Sequence, residues 1–252
     1  RIMQDTGILM QILPQLSRLE TVEVQDGKGH KDNFAHTLEV LENVIHFEKE
    51  ASLEPKLYLH WAALLHDIGK SVTKRFDPAV GWTFHGHEAV GAKMVDKVFR
   101  SLKMPLGEEL KYVRKLVSLH MRPIALVDEV TDSAVRRLLF EAGEDIDDLM
   151  ILCNADITSK NPRKVLMHRA NFEKVKVKMT EVEKKDEIRN FKNPIDGNYI
   201  MELFGIEPGK DISVLKNAVK DAILDGVIPN EFSAADAFMR EKAASIGLKP
   251  VE

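Results

Sequence analysis

The stretch Leu59-His60-Trp61-Ala62-Ala63-Leu64-Leu65-His66-Asp67-Ile68-Gly69-Lys70 constrains the fold most. Apolar residues occupy nearly every side of its helical wheel, and a helix that is apolar all round is a buried one. It ends in His66-Asp67, so two metal-ligating side chains are carried into a core. An uncompensated carboxylate in such a place costs several kcal/mol, and a cation is the simplest compensation. Gly69 reads as the helix terminator, because glycine adopts the left-handed cap conformation freely. Lys70 then sets a mobile positive charge beside the proposed metal.

Composition narrows the setting. A chain of 252 residues fits one large domain or two modest ones, and 44% hydrophobic content is enough for a real core. No apolar run approaches the roughly 20 residues of a membrane helix, so no membrane partner is expected. The single cysteine, Cys153, excludes an internal disulfide and a four-cysteine zinc site, and points to a reducing cytoplasm. A net charge of −4 does not by itself suggest nucleic acid. The first residue is Arg1, which reads as a fragment of something longer or a processed product.

Helical periodicity runs through most of the chain, and the expected class is all-α: a helical bundle with a small helical C-terminal extension and at most one short β-hairpin, at 74–84. Residues 1–31 read as a helical lead-in, with Ile2, Ile8, Leu9, Ile12, Leu13, Leu16 and Leu19 as an apolar stripe broken at Pro14, then a glycine-containing loop at 21–31. Residues 32–160 form the metal-binding domain: helices from Asp32 or Asn33 to about Phe47, from Pro55 to His66-Asp67, and over 87–101, 108–120, 131–141 and 145–159. Residues 161–190 form a long basic helix, and 191–252 a tail of three small helices. Between Lys160 and Lys178 stand seven Lys/Arg against one acid.

Five positions share one property. His36, His66, His87, His120 and Asp156 each fall on the apolar face of a separate predicted helix, and Asp67 adjoins one of them. One inward histidine is ordinarily a satisfied core residue. Five helices each offering one are better explained by a metal cluster inside a bundle. Imidazole and carboxylate donors without thiolate suit one or two divalent ions, either Mg²⁺ or a transition metal such as Mn, Fe, Co, Ni or Zn. Carboxylates can bridge two metals and so prepare a site for a phosphoryl group. His30, His46, His60 and His168 read as loop, surface or packing residues, and His85 ranks second to His87 as a ligand.

With those residues in place, His36, then His66-Asp67, then Asp156 resembles the H…HD…D signature of the HD phosphohydrolase superfamily. His66-Asp67-Ile68-Gly69-Lys70 is similar to its HDIG subset, and His87-Glu88-Ala89-Val90-Gly91-Ala92 to its H-x-x-x-G-A helix start. The resemblance implies a first metal on His36, His66, Asp67 and Asp156, and a second metal or the phosphate on His87 and His120. It implies that Lys70 binds the scissile phosphate, and that Lys70, Asp67, His87 and His120 serve catalysis. Four further stretches resemble the HD and tail region of bacterial CCA-adding tRNA nucleotidyltransferases and poly(A) polymerases. These are Gly7-Ile8-Leu9…Leu16, Ala134-Val135-Arg136-Arg137-Leu138 with Asp156–Asn161, and Gly205-Ile206-Glu207-Pro208-Gly209…Asp225-Gly226.

The polymerase head of those enzymes carries a D-x-D in a β-hairpin, and the chain supplies none. Asp145-Ile146-Asp147 opens a helix, where acids suit the dipole. Nucleotidyltransfer is therefore not expected from this chain alone, and an upstream head would be its partner in a longer protein. What the resemblance implies is metal-dependent hydrolysis of a phosphoester or nucleotide-like substrate, such as a 2′,3′-cyclic phosphodiester or a 2′-nucleotide. The competing reading is a non-catalytic tRNA-binding body, with Arg136, Arg137, Lys160, Arg163, Lys164 and Arg169 meeting the RNA backbone. A signalling domain that hydrolyses second messengers ranks third.

Overall fold

The computed structural model describes residues 1–20, 22–30, 32–126, 131–158, 161–186 and 191–251. It is helical almost throughout, and it divides into two compact units: Arg1–Val127 with Glu144–Val175, and Asp128–Gly143 with Lys176–Glu252. The helix at 131–141, expected inside the metal-binding domain, therefore packs with the second unit.

In the first unit the lead-in is α1 (Ile2–Asp5), α2 (Ile8–Ile12), α3 (Pro14–Ser17) and a 3₁₀ turn. It breaks at Gly7 as well as at Pro14. The predicted stripe is only half buried: Leu9, Leu13, Leu16 and Leu19 face inward, while Ile2, Ile8 and Ile12 are exposed. Helix α4 (Asn33–Glu50) is capped by Asp32, whose carboxylate accepts from the N–H groups of Phe34 and Ala35 at 2.9 and 3.0 Å. Helix α5 (Leu57–Leu65) begins two residues after Pro55. Its start is set by buried Glu48, which accepts from the Lys56 N–H at 3.0 Å and pairs with His60 at 2.6 Å. His60 is thus a hydrogen-bond partner of Glu48.

Leu59, Ala62, Ala63, Leu65 and Ile68 are fully buried where α5 meets α4, α8 (Glu108–Leu119) and α11 (Ile146–Asp156). At roughly 1.5–3 kcal/mol for each large aliphatic side chain, this burial anchors the segment that ends in His66-Asp67. After α5 the chain forms the short helix α6 (Lys70–Thr73).

Gly69 does not act as a left-handed cap, because its φ is −64°. Its reason for being glycine is proximity. A Cβ there would stand 2.1 Å from the carbonyl oxygen of His87 and 2.8 Å from the amide nitrogen of Gly91, both in α7 (His87–Ser101). Gly91 makes the reciprocal close approach, with Val117 of α8 and Gly69 at 3.3 and 3.4 Å from its own would-be Cβ.

Among the described residues two antiparallel hairpins are present, rather than at most one. β3 (Arg75–Asp77) pairs with β4 (Gly81–Thr83), as the sequence suggested. β1 (Val24–Gln25) pairs with β2 (Lys28–Gly29) in the stretch read as loop. Its two-residue connection is Asp26-Gly27, both at positive φ, which is the type I′ hairpin turn. The Asp-Gly pair was the available signal. The short helix α9 (Arg122–Ala125) follows α8.

In the second unit, α10 (Asp132–Ala142) is capped by the Thr131 hydroxyl. Helix α12 (Pro162–Asp186) runs on into this unit. The unit also holds α13 (Gly197–Phe204), α14 (Lys210–Leu224) and α15 (Phe232–Ser245), around a core that includes Ile200, Leu215, Val219, Ile223 and Met239. Among the described residues no helix is long and apolar enough to cross a membrane.

Candidate metal centre

Six side chains from five helices meet within the first unit, each at or near a helix end. His36 stands in the first turns of α4. His66 and Asp67 follow α5, His87 opens α7, His120 closes α8 and Asp156 ends α11. Placement at helix ends lets five helices converge on one point without their backbones colliding. His66 and His120 are fully buried, and Asp67 is 1% exposed.

Asp67 is the hub. Its Oδ2 lies 3.5 Å from His36 Nε2, 3.3 Å from His66 Nε2 and 2.6 Å from Lys70 Nζ. Its Oδ1 lies 3.2 Å from His87 Nε2 and 3.8 Å from His120 Nε2. Asp156 Oδ1 is 2.8 Å from His36 Nε2 and 3.6 Å from His66 Nε2. Two donor groups result, His36–His66–Asp67 and Asp67–His87–His120, each with ligand atoms within 4.8 Å of one another.

The protons can be placed by what accepts them. Nδ1 of His66, His87 and His120 each lies 2.7–2.9 Å from the backbone carbonyl three residues earlier, of Ala63, Phe84 and Val117. A carbonyl can only accept, so each Nδ1 carries a hydrogen and each Nε2 is turned inward toward the cluster. Hydrogen-bonded imidazoles of this kind are the usual form of a histidine that ligates a metal. Two consequences follow. Nε2 of His66 is buried and makes no hydrogen bond. Nε2 of His87 and of His120 face each other at 3.3 Å.

The electrostatics call for positive charge at the same place. Burial would raise Asp67, yet His66, His87 and Lys70 hold its carboxyl well below the usual carboxylate range. Asp156 is likewise held down against burial, by His36 and His66. Burial would lower His66, but the charges of Asp67 and Asp156 raise it to about 10. Burial, reinforced by a charged His66, lowers His120 to about 4. The pattern is that of two buried carboxylates held ionised by whatever cation is available. A nitrogen-and-oxygen donor set with a buried, inward-facing nitrogen that makes no hydrogen bond fits a divalent ion.

Lys70 reaches this centre from a partly open position, with its side chain 19% exposed and its Nζ 5.7 Å from the centre of the Phe84 ring. His85 is exposed and its neighbour His87 occupies the site. Sequence reasoning missed Thr158, whose hydroxyl lies 3.0 Å from His36 Nδ1. It also missed the three carbonyls, which carry no residue signature beyond the i−3 helical spacing.

The expected RNA-facing cations are dispersed. Arg163 and Arg169 are exposed on α12. Arg136 is buried, 9% exposed, and lies against Gly226 within the second unit. Arg137 pairs with Asp221 at 3.2 Å and with Asp225 at 2.9 Å. Arg137 is committed to tying α10 to the end of α14, because opposing carboxylates stand within reach, and Arg136 faces Asp132 of its own helix at 3.7 Å. Lys160 and the side chain of Lys164 lie outside the described residues.

The HD domain profile matches residues 33–161, a span that contains all six clustered side chains. The chain belongs to the HD domain family. Outside the profile the likeness continues. The A-adding tRNA nucleotidyltransferase of Deinococcus radiodurans is 30% identical over 220 residues, covering 86% of this chain and 48% of that protein. The CC-adding tRNA nucleotidyltransferase of Thermus thermophilus is 30% identical over 231 residues, covering 90% and 48%. A multifunctional CCA protein of Azoarcus is 37% identical over 109 residues, covering 42% and 24%. This HD chain thus spans about half the length of the curated relatives it matches over most of its own length.

Proposed function

We propose that this chain is a metal-dependent phosphohydrolase that works as the HD module of a tRNA nucleotidyltransferase-like protein in the cytoplasm. The observation that carries the reading is Asp67, which offers one oxygen to each of two histidine pairs while Lys70 stands beside it. Divalent ions held there supply a nucleophilic water at neutral pH and neutralise charge on a phosphoryl group.

The chain's own residues do the rest. His36, His66, Asp67 and Asp156 hold the first position, and Asp67, His87 and His120 the second. Lys70 stands beside Asp67 from a partly open position, and it stabilises negative charge on the phosphoryl oxygens as they leave the ground-state geometry. Burial of the cluster excludes bulk water, which strengthens each of these contacts. The substrate proposed is a phosphodiester or phosphomonoester of the RNA-end type, a 2′,3′-cyclic phosphate or a 2′-phosphate. No nucleotidyltransfer is assigned to this chain alone.

The test is metal-stimulated hydrolysis of 2′,3′-cyclic AMP by the purified chain, beside Asp67→Ala. The proposal expects turnover with Mn²⁺, Co²⁺ or Ni²⁺ that a chelator abolishes and the variant lacks. No turnover by metal-loaded wild type overturns the catalytic reading.

A second reading is supported by Arg163 and Arg169, exposed on α12, and by relatives named for their action on tRNA. On that reading α12 contacts an RNA backbone, and binding must weaken steeply with salt.

A further inference from the structure

Three of the four clustered histidines are held alike, and the fourth is not. His66, His87 and His120 each bond the carbonyl three residues back on their own chain segment. For His36 the equivalent carbonyl is that of Asn33, and it is already taken: the Thr37 hydroxyl donates to it at 2.8 Å. His36 Nδ1 turns instead to the Thr158 hydroxyl at 3.0 Å.

Thr158 comes from the far side of the cluster. It lies two residues beyond Asp156, and its N–H donates to the Asp156 carbonyl at 2.7 Å. The end of α11 therefore grips His36 at both ring nitrogens, with Asp156 Oδ1 2.8 Å from Nε2 and the Thr158 hydroxyl at Nδ1. A hydroxyl differs from a carbonyl in one decisive way, since it can donate or accept. With Nε2 hydrogen-bonded to Asp156, Nδ1 can accept from the hydroxyl. With Nε2 turned to a metal, Nδ1 must carry the hydrogen and donate to the same oxygen.

We infer that Thr158 is a positioning residue for the metal centre: its hydroxyl holds the His36 ring in place through either tautomer, and so lets His36 exchange its bond to Asp156 for a bond to a metal. The other three histidines, locked by carbonyls, have no such freedom. This rests on the metal-centre reading but not on the hydrolytic one.

The test is Co²⁺ titration of the full chain, followed by the visible d–d absorption of the bound ion, for wild type, Thr158→Val and Thr158→Ser. Valine keeps the shape and removes the hydroxyl, and serine keeps the hydroxyl. The expected result is an affinity at the first position weakened about 10- to 100-fold in T158V, the size of other partner losses behind a ligating histidine, and restored by T158S to within about threefold. Circular dichroism checks that T158V is folded. Imidazole ¹⁵N spectra of the Zn²⁺-loaded proteins should show His36 with hydrogen on Nδ1 in wild type and T158S, and a weakened or mixed state in T158V.

A T158V chain that titrates like wild type overturns the inference. So does a T158S chain as weak as T158V, which would show that the hydroxyl alone does not hold His36. A wild type that binds no Co²⁺ removes the metal centre and this inference with it. A wild type that binds Co²⁺ yet hydrolyses nothing removes only the catalytic reading.

Discussion

Asp67 Oδ1 lies 3.2 Å from His87 Nε2, while the other oxygen of the same carboxylate is the one nearest His66, at 3.3 Å. One side chain thus serves both halves of the cluster. Removing either half should leave the other in place. His87→Ala should lose the second metal position and keep the first, so metal content falls by about one ion per chain with little change in fold. Elemental analysis of the purified variant beside wild type checks this, and unchanged metal content in H87A would mean that the second position does not exist.

Metal binding should release a proton. His66 is held at about 10, above the roughly 6.5 of a free imidazole, because it faces Asp67 and Asp156. A histidine raised in the folded state contributes stability that is fully present below about 6.5 and is lost as pH rises through about 10. A metal on Nε2 must displace that proton, so apparent affinity should rise about tenfold per pH unit up to about 10. Calorimetry at pH 7.5 in buffers of different ionisation enthalpy should show about one proton released for the first ion. Binding heat independent of buffer would contradict the charge assigned to His66.

Gly69→Ala should be costly for a steric reason alone. Alanine adopts φ −64° without strain, but its Cβ would sit 2.1 Å from the His87 carbonyl, which is backbone and cannot rotate away. Overpacking of this kind costs roughly 1–3 kcal/mol, or about 2–12 °C in Tm for a domain of this size. Because the displaced group belongs to His87, the second metal position should weaken as well. A thermal melt within 1 °C of wild type, which is within about 0.5 kcal/mol, would show that α7 yields more easily than this packing suggests.

The arginines expected to face RNA should separate into two classes. Arg137→Ala breaks pairs with Asp221 and Asp225 that are partly solvent-exposed, so it should cost at most about 1 kcal/mol of stability and leave the salt dependence of RNA binding unchanged. Arg163→Ala and Arg169→Ala should leave the melt unchanged and lower the slope of log K against log salt by roughly 0.7–0.9 each. Filter binding of tRNA across a salt series distinguishes them. A slope that changes in R137A but not in R163A would reverse the assignment.

Much of the cluster was legible in the sequence because burial and helical period suffice to find it. His36, His66, His87, His120 and Asp156 stand on apolar faces, and a polar group on such a face needs a partner whatever the detailed packing. What periodicity could not supply was the second set of bonds. Thr158 carries no pattern of its own; it matters only because Thr37 has taken the Asn33 carbonyl. Gly69 was legible as special and misread in cause, since a close approach by α7 leaves no mark on the local sequence. Arg137 looked like a surface cation because charge patterns do not reveal which carboxylates fold back to meet it, and Arg136 because they do not reveal burial. The stripe of the lead-in failed at Gly7, where the helix turns and Ile8 and Ile12 swing outward.

The central claim is that one carboxylate, Asp67, organises two metal positions. Metal content of the purified, reconstituted chain, measured by elemental analysis beside Asp67→Ala, tests it most directly. The account predicts up to two divalent ions per chain in wild type and loss of both in the folded variant. A folded D67A chain that still carries a full complement of metal would contradict it.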